Sequence, residues 1–502
     1  MENKSWKLPY AAFFIFIFAF FFLWFSRIHP LIPFDGDDWT YLSYTRLATP
    51  VWGAWNPSKV FPEIVYPFFS TIAAFALTPL IGDYISAQTL MHAVVISAAI
   101  TGFLWCFARL ERRLFSFSRM TASVLTVLFL AVHFLVFRTD EENNVHLLYC
   151  VSLNCYYNYL LPMLLSASLV MLLLTSDTIE TFVKTGKPEL KGLFFLVIYL
   201  AIFSNLPASG ILAAYAGSRI LLSLIRHRKH LKLKPLMEEN AFFLGILALW
   251  LVSAVFELSG GRAGSAAMGG SILSQLRQTC FLLKNVVLGS NRLFLGFSVV
   301  VVAAALVCML LDGGIRSLNG TLSSVLAVFL ISAAAMTVYM IVLCAAVGPA
   351  KITGAEYLFA IYFHVFLLEL LALGYLVERF PRLMLVLPLL SVVLVSNINT
   401  NGNTFREINT SGLPAERCGE LGRYIIEQYQ QADEAGQQEM VLRLPQFTSD
   451  PDNGDNWPYT LSLVHRISDT MYNHGLTSRL IDITPVIDSA VNDQMRIPLP
   501  TE

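Results

Sequence analysis

The chain has 502 residues, 56% hydrophobic and only 14% charged, with a formal net charge of −1 and a mean hydropathy of +0.61. A soluble protein of this length needs far more charge to cover its surface, so that class is excluded. Near-neutrality gives no global field for nucleic acid or an acidic partner.

The first apolar run, 10–25, is too long for the core of a cleaved signal peptide and has no small-x-small site after it. It reads as an uncleaved membrane helix. A crossing needs about 20 mostly apolar residues. Allowing for short ones, further stretches follow at 88–107, 122–137, 157–174, 193–203, 208–225, 241–256, 293–311, 323–347, 357–377 and 383–395. That makes about 11 transmembrane helices. The run 193–203 is short and leads into SNLP, which suggests a broken helix.

Lysine and arginine in the loops set the orientation. ARLERRLFSFSR and IRHRKHLKLK are strongly basic, and VKTGKPELK and ERFPR agree with them in sign. Placing these inside puts the N-terminus in the cytoplasm and the tail outside. One apolar stretch, 61–84, contradicts that count if it crosses. Pro62, Pro67 and Pro79 interrupt it, so it reads as a re-entrant or interfacial helix on the outer side. The expected organisation is a transmembrane domain over 1–396, with a long first outer loop at 27–86, and a soluble extracytoplasmic α/β appendage over 397–502. In that appendage a helical period in AERCGELGRYIIEQYQQADEAG precedes strand-like EMVLRLP and RLIDITPVI.

The outer loops hold the chemistry-bearing residues. The first contains FDGDDWTY, then RLATPVWGAWNPSKVFPE. The acid pair Asp37 and Asp38 is followed by Trp39, Tyr41 and Trp55, and by Lys59. A carboxylate can take a proton from a hydroxyl, aromatic faces can stack on sugar rings, and a cation can hold a phosphate. Asp35, set apart by Gly36, reads as solvated loop. Trp39, Tyr41 and the later Tyr156 and Tyr157 fit an aromatic interface belt. His146 in the second outer loop could hydrogen-bond a substrate, although a lone histidine is more often structural. Cys150 and Cys155 share a short loop and are not expected to form a structural pair, and no C-x-x-C metal spacing occurs. No P-loop, Rossmann fingerprint or G-x-S-x-G is present, so nothing supports cytoplasmic nucleotide chemistry.

The order DDWTY…R…WNPSKVFPE, with its acid pair, aromatics and a basic residue before a proline-containing helix, resembles the GT-C membrane glycosyltransferases. These use a polyprenyl-phosphate-linked sugar as donor. The layout resembles theirs over the whole chain, and bacterial members akin to O-antigen glucosyltransferases are the most similar. The resemblance implies a multi-pass protein of the bacterial plasma membrane. It would move a sugar to a glycan, lipid or protein acceptor on the extracytoplasmic face. Asp37 would be the catalytic base, and Asp38 would orient the acceptor or a divalent metal ion. Lys59, Arg262 in SGGRAGS and Lys351 in GPAKITGAEY would hold the donor phosphate. The last loop often carries arginine in that family, and SGGR lacks its asparagine. Rival readings are a transporter, flippase or polymerase of lipid-linked glycans. A transporter leans on charged or broken helices at the midplane and often on an internal repeat, and no repeat is visible here.

Overall fold

The structure, a computed structural model, describes residues 7–44, 59–137, 145–174, 186–228, 232–258, 271–314, 320–400, 409–449 and 456–500. Nine helices among the described residues are long and apolar enough to cross a bilayer. The chain is a polytopic α-helical membrane protein. The runs 122–137 and 383–395 form the shorter apolar helices Arg119–Leu135 and Leu387–Thr400. The run 193–203 lies in a helix of 15 residues, Pro188–Ile202. It ends where Asn205 caps the next helix, its side chain accepting from Ala208 N–H.

The stretch 61–84 departs from expectation in form. It is one helical rod, Val60–Ile81, whose prolines do not break it. Pro62 lies in its first turn, where no intrahelical N–H is required. Pro67 lies inside the helix, and beyond it residues Ala73–Leu77 wind as π-helix. The rod is divided into two α-helical segments, Val60–Ile72 and Thr78–Ile81, around that bulge.

The chain clusters into two compact units. The first comprises 1–15, 100–149 and 162–405. Its core is the helix Ala355–Arg379, nearly all of whose positions are buried. Arg292–Leu311 and Gly320–Val347 pack along it, and Leu206–His227 forms a hairpin with Leu233–Leu258. Close approach needs glycine at one point: a Cβ on Gly374 would lie 2.6 Å from the Phe115 ring and 2.8 Å from a Glu111 carboxyl oxygen.

The second unit comprises 16–99, 150–161 and 406–502. It unites the first long loop with the tail segment. The tail carries a two-stranded parallel sheet, β1 (Glu439–Leu444) beside β2 (Asp482–Ile487), with Glu439 opposite Asp482 and Leu444 opposite Ile487. The helices Ala415–Glu434 and Leu461–Asn473 pack on it. Leu421, Ile425, Tyr429, Val464, Ile467 and Met471 form their buried faces, recurring at the three-to-four-residue helical period.

Candidate functional site

The acids of FDGDDW sit on an eight-residue helix, Gly36–Ser43, called here the acid helix. Asp35 is its N-cap. The Asp35 carboxylate accepts from Asp38 N–H at 2.7 Å, while Asp38 reaches back to the N–H of Asp35 at 3.4 Å. This reciprocal pairing satisfies donors that a helix start leaves open. Asp38 also accepts from Phe34 N–H at 3.0 Å and, with its other oxygen, from Asn154 N–H at 2.6 Å. Asp35 and Asp38 are each 1% exposed, whereas Asp37 between them is only half-buried. The acid that reads as solvated loop is therefore a buried cap, because the capping box turns Asp35 inward.

Burial pushes the carboxyls of Asp35 and Asp38 up, and the nearness of Asp38 adds to the effect on Asp35. Hydrogen bonds oppose this: three backbone N–H groups on Asp38, one N–H and the Ser152 hydroxyl on Asp35. Asp38 receives the larger share of these hydrogen bonds, so its carboxyl rises less far than that of Asp35. A divalent ion at Asp38 would have to displace these donors, and Asp37 is the acid of the three with solvent access. Among the described residues no group of three or more His, Cys, Asp and Glu is arranged to hold a metal ion.

Gly36 is explained by contact. Its N–H donates to Pro458 C=O at 2.9 Å, and a Cβ there would lie 2.9 Å from Leu463 Cβ. The helix Leu461–Asn473 thus seats the acid helix directly, and Thr470 donates its hydroxyl to Trp39 C=O at 2.6 Å. Trp39 is fully buried and stacks on Tyr84 at 6.4 Å between ring centroids. It belongs to the core of this unit and not to an interface belt. Tyr41 is half-buried and faces Tyr44 at 6.3 Å.

Beneath the acid helix lies a polar cluster that sequence reasoning did not find. Tyr66 donates to Asp38 C=O at 3.4 Å and stacks on Tyr157 at 4.4 Å. The Tyr157 hydroxyl meets His92 Nδ1 at 2.6 Å, and His92 Nε2 lies 3.2 Å from Gln88 Oε1 and 3.3 Å from Ser70 Oγ. Tyr156 and Tyr157, expected in an interface belt, are both fully buried. They lie in another π-helical stretch, Tyr156–Leu160, the kind of irregularity that recurs at functional sites. The available signal was Gln88 and His92, two polar groups one turn apart in an apolar helix.

Lys59 immediately precedes the helix at Val60 in the left-handed conformation, φ 60°, which a non-glycine residue rarely adopts. It is 7% exposed, and Glu63, one turn on, is 3% exposed. His146 and Lys351 belong to the first unit. His146 is buried and stacks on Phe134 at 4.5 Å. Lys351 is exposed on the turn Pro349–Thr353, its Nζ 5.9 Å from the Tyr357 ring centroid. Arg262 and Trp55 lie outside the described residues. Cys150 is buried and Cys155 half-buried. No family model, curated protein or solved structure matches this chain.

Proposed function

We propose that the protein is a membrane glycosyltransferase that takes a sugar from a polyprenyl-phosphate donor on the extracytoplasmic face of a bacterial plasma membrane. The observation that carries this reading is the presentation of Asp37. It is the accessible carboxylate on a short helix whose neighbours, Asp35 and Asp38, are locked by buried hydrogen bonds. A base fixed in position in this way suits proton transfer from an acceptor hydroxyl. The resemblance in motif order and layout supports the same reading.

In this mechanism Asp37 removes the acceptor proton as the oxygen attacks the anomeric carbon from the side opposite phosphate. The new C–O bond forms while the bond to the phosphate oxygen breaks, and the leaving polyprenyl phosphate departs with that electron pair. Configuration inverts. Charge develops on the leaving phosphate, where Lys59, Lys351 and Arg262 are the candidate cations. Asp38 acts by holding the acid helix to the backbone of Asn154.

Asp37→Asn removes the proton acceptor and keeps the shape. Transfer from a lipid-linked sugar in a membrane assay should fall by about 100- to 10,000-fold, with expression and the thermal melt unchanged. Wild-type transfer by Asp37→Asn would remove the base from this reading. A transporter of lipid-linked glycans would then move ahead, and one observation favours it. Glu111 is fully buried within the candidate span Tyr84–Phe115, and neither carboxyl oxygen has a hydrogen bond among the described residues. Such acids mark ion or substrate paths in membranes.

A further inference from the structure

The second unit contains a cleft of about 390 Å³ that the proposed transfer does not use. It lies where the last turn of the candidate span Leu8–Ile28 meets the helix Ala415–Glu434. One side presents Arg27 and the other Glu416, both exposed, and neither has a hydrogen bond or ion pair with another described residue. Ser26 also lines the cleft. It is 7% exposed, and its hydroxyl has no hydrogen-bond partner among the described residues. Ile81, Ile85 and Leu90 supply apolar wall. The cleft is braced by Arg423, which grips Asp83 through two hydrogen bonds of 2.9 and 2.8 Å.

We propose that this cleft binds the headgroup of an aminophospholipid, a phosphodiester carrying a primary ammonium. The Arg27 guanidinium and the Ser26 hydroxyl donate to the phosphate oxygens, and Glu416 accepts from the ammonium. The isoleucine and leucine wall receives the upper part of an acyl chain. An arginine at the end of a membrane helix would by itself attract any phospholipid. Glu416 changes that expectation, because a carboxylate beside the phosphate site repels an anionic headgroup and pairs with a zwitterionic one. The buried Ser26 hydroxyl separates the cleft from an ordinary surface patch, since a buried donor without a partner is uncommon. This inference does not depend on the transfer reaction.

The test uses the full chain in detergent, titrated with phosphatidylethanolamine or phosphatidylglycerol of equal acyl chains and read by native mass spectrometry. Wild type should prefer phosphatidylethanolamine by about tenfold, the scale of one hydrogen bond to a charged group. Glu416→Gln should erase the preference while phosphatidylglycerol still binds. Arg27→Gln should weaken both lipids, and Arg27→Lys should recover part of the loss. Equal or stronger binding of phosphatidylglycerol by wild type would overturn the proposal and leave Arg27 as a general anchor. Binding by both glutamine variants that matches wild type would overturn it as well. Full displacement of the lipid by millimolar O-phosphoethanolamine would show that a soluble headgroup suffices, and would overturn the lipid assignment.

Discussion

At the residue scale, the three acids of FDGDDW differ in kind although the sequence sets them side by side. Asp38 accepts three backbone N–H groups, so Asp38→Asn turns one acceptor oxygen into a donor facing donors. The expected cost is about 1–3 kcal/mol of stability, read as a lowered melting temperature, while Asp37→Asn leaves the melt in place. Equal melts for the two variants would mean that the network around Asp38 is not what holds the helix. Gly36→Ala tests the seat below. The added methyl meets Leu463 Cβ at 2.9 Å, and overpacking of this kind costs about 1–3 kcal/mol. Trimming the neighbour with Leu463→Ala should restore part of that loss, and no restoration would point away from steric conflict. The acid pair itself was legible in the sequence because acid, aromatic and base stand close together. The division of labour was not, since it depends on Ser152, Asn154 and Pro458, which lie more than a hundred positions away.

At the element scale, apolar length predicted eight of the nine described helices long enough to cross, because burial in lipid demands it; Val60–Ile81 is the ninth, and the runs 122–137, 193–203 and 383–395 form shorter helices. Breaks and bulges were less legible. Pro67 reads as a breaker in sequence, but the π-helical stretch Ala73–Leu77 carries the rod onward. The helix Leu461–Asn473 ends at His474, which shares a 2.7 Å hydrogen bond with the Tyr84 hydroxyl and is 4% exposed. Burial pushes its imidazole down to about 4. The folded protein therefore prefers neutral His474, and the unfolded chain takes the proton first. This contribution is present above the ordinary histidine value near 6.5 and is lost as pH falls towards 4, by about 3 kcal/mol in all. The raised carboxyls of Asp35 and Asp38 act in the opposite sense, gaining stability on acidification. The difference between wild type and His474→Gln isolates the histidine: the variant should lose less stability between pH 7 and 5. Parallel pH profiles for the two proteins would assign the loss to other groups.

At the scale of the whole molecule, contacts within the second unit constrain how the chain threads the bilayer. Asp38 and Asn154 are hydrogen-bonded at 2.6 Å, so they lie on one side of the membrane. With Tyr84–Phe115 and the shorter apolar helix Arg119–Leu135 taken as two crossings between them, a crossing by Val60–Ile81 would make three. An odd number separates its ends. Trp39 stacked on Tyr84 and Asp83 gripped by Arg423 lead to the same conclusion. We infer that Val60–Ile81 enters and leaves on one side. Single cysteines at Asp83 and Glu434 should react with an impermeant reagent from the same face, and one at Arg228 from the other. Asp83 and Glu434 reacting from opposite faces would sink this threading. Trp39 and Thr470 are bonded across 431 positions of chain, and that separation is also an interval of time. A ribosome adding about 5–20 residues per second needs roughly 20 to 90 s to cover it. Throughout that interval the nascent acid helix lacks the seat that Leu463 and Thr470 provide. On the proposed function, a chain cut short before Leu463 should therefore insert in the membrane yet show no transfer.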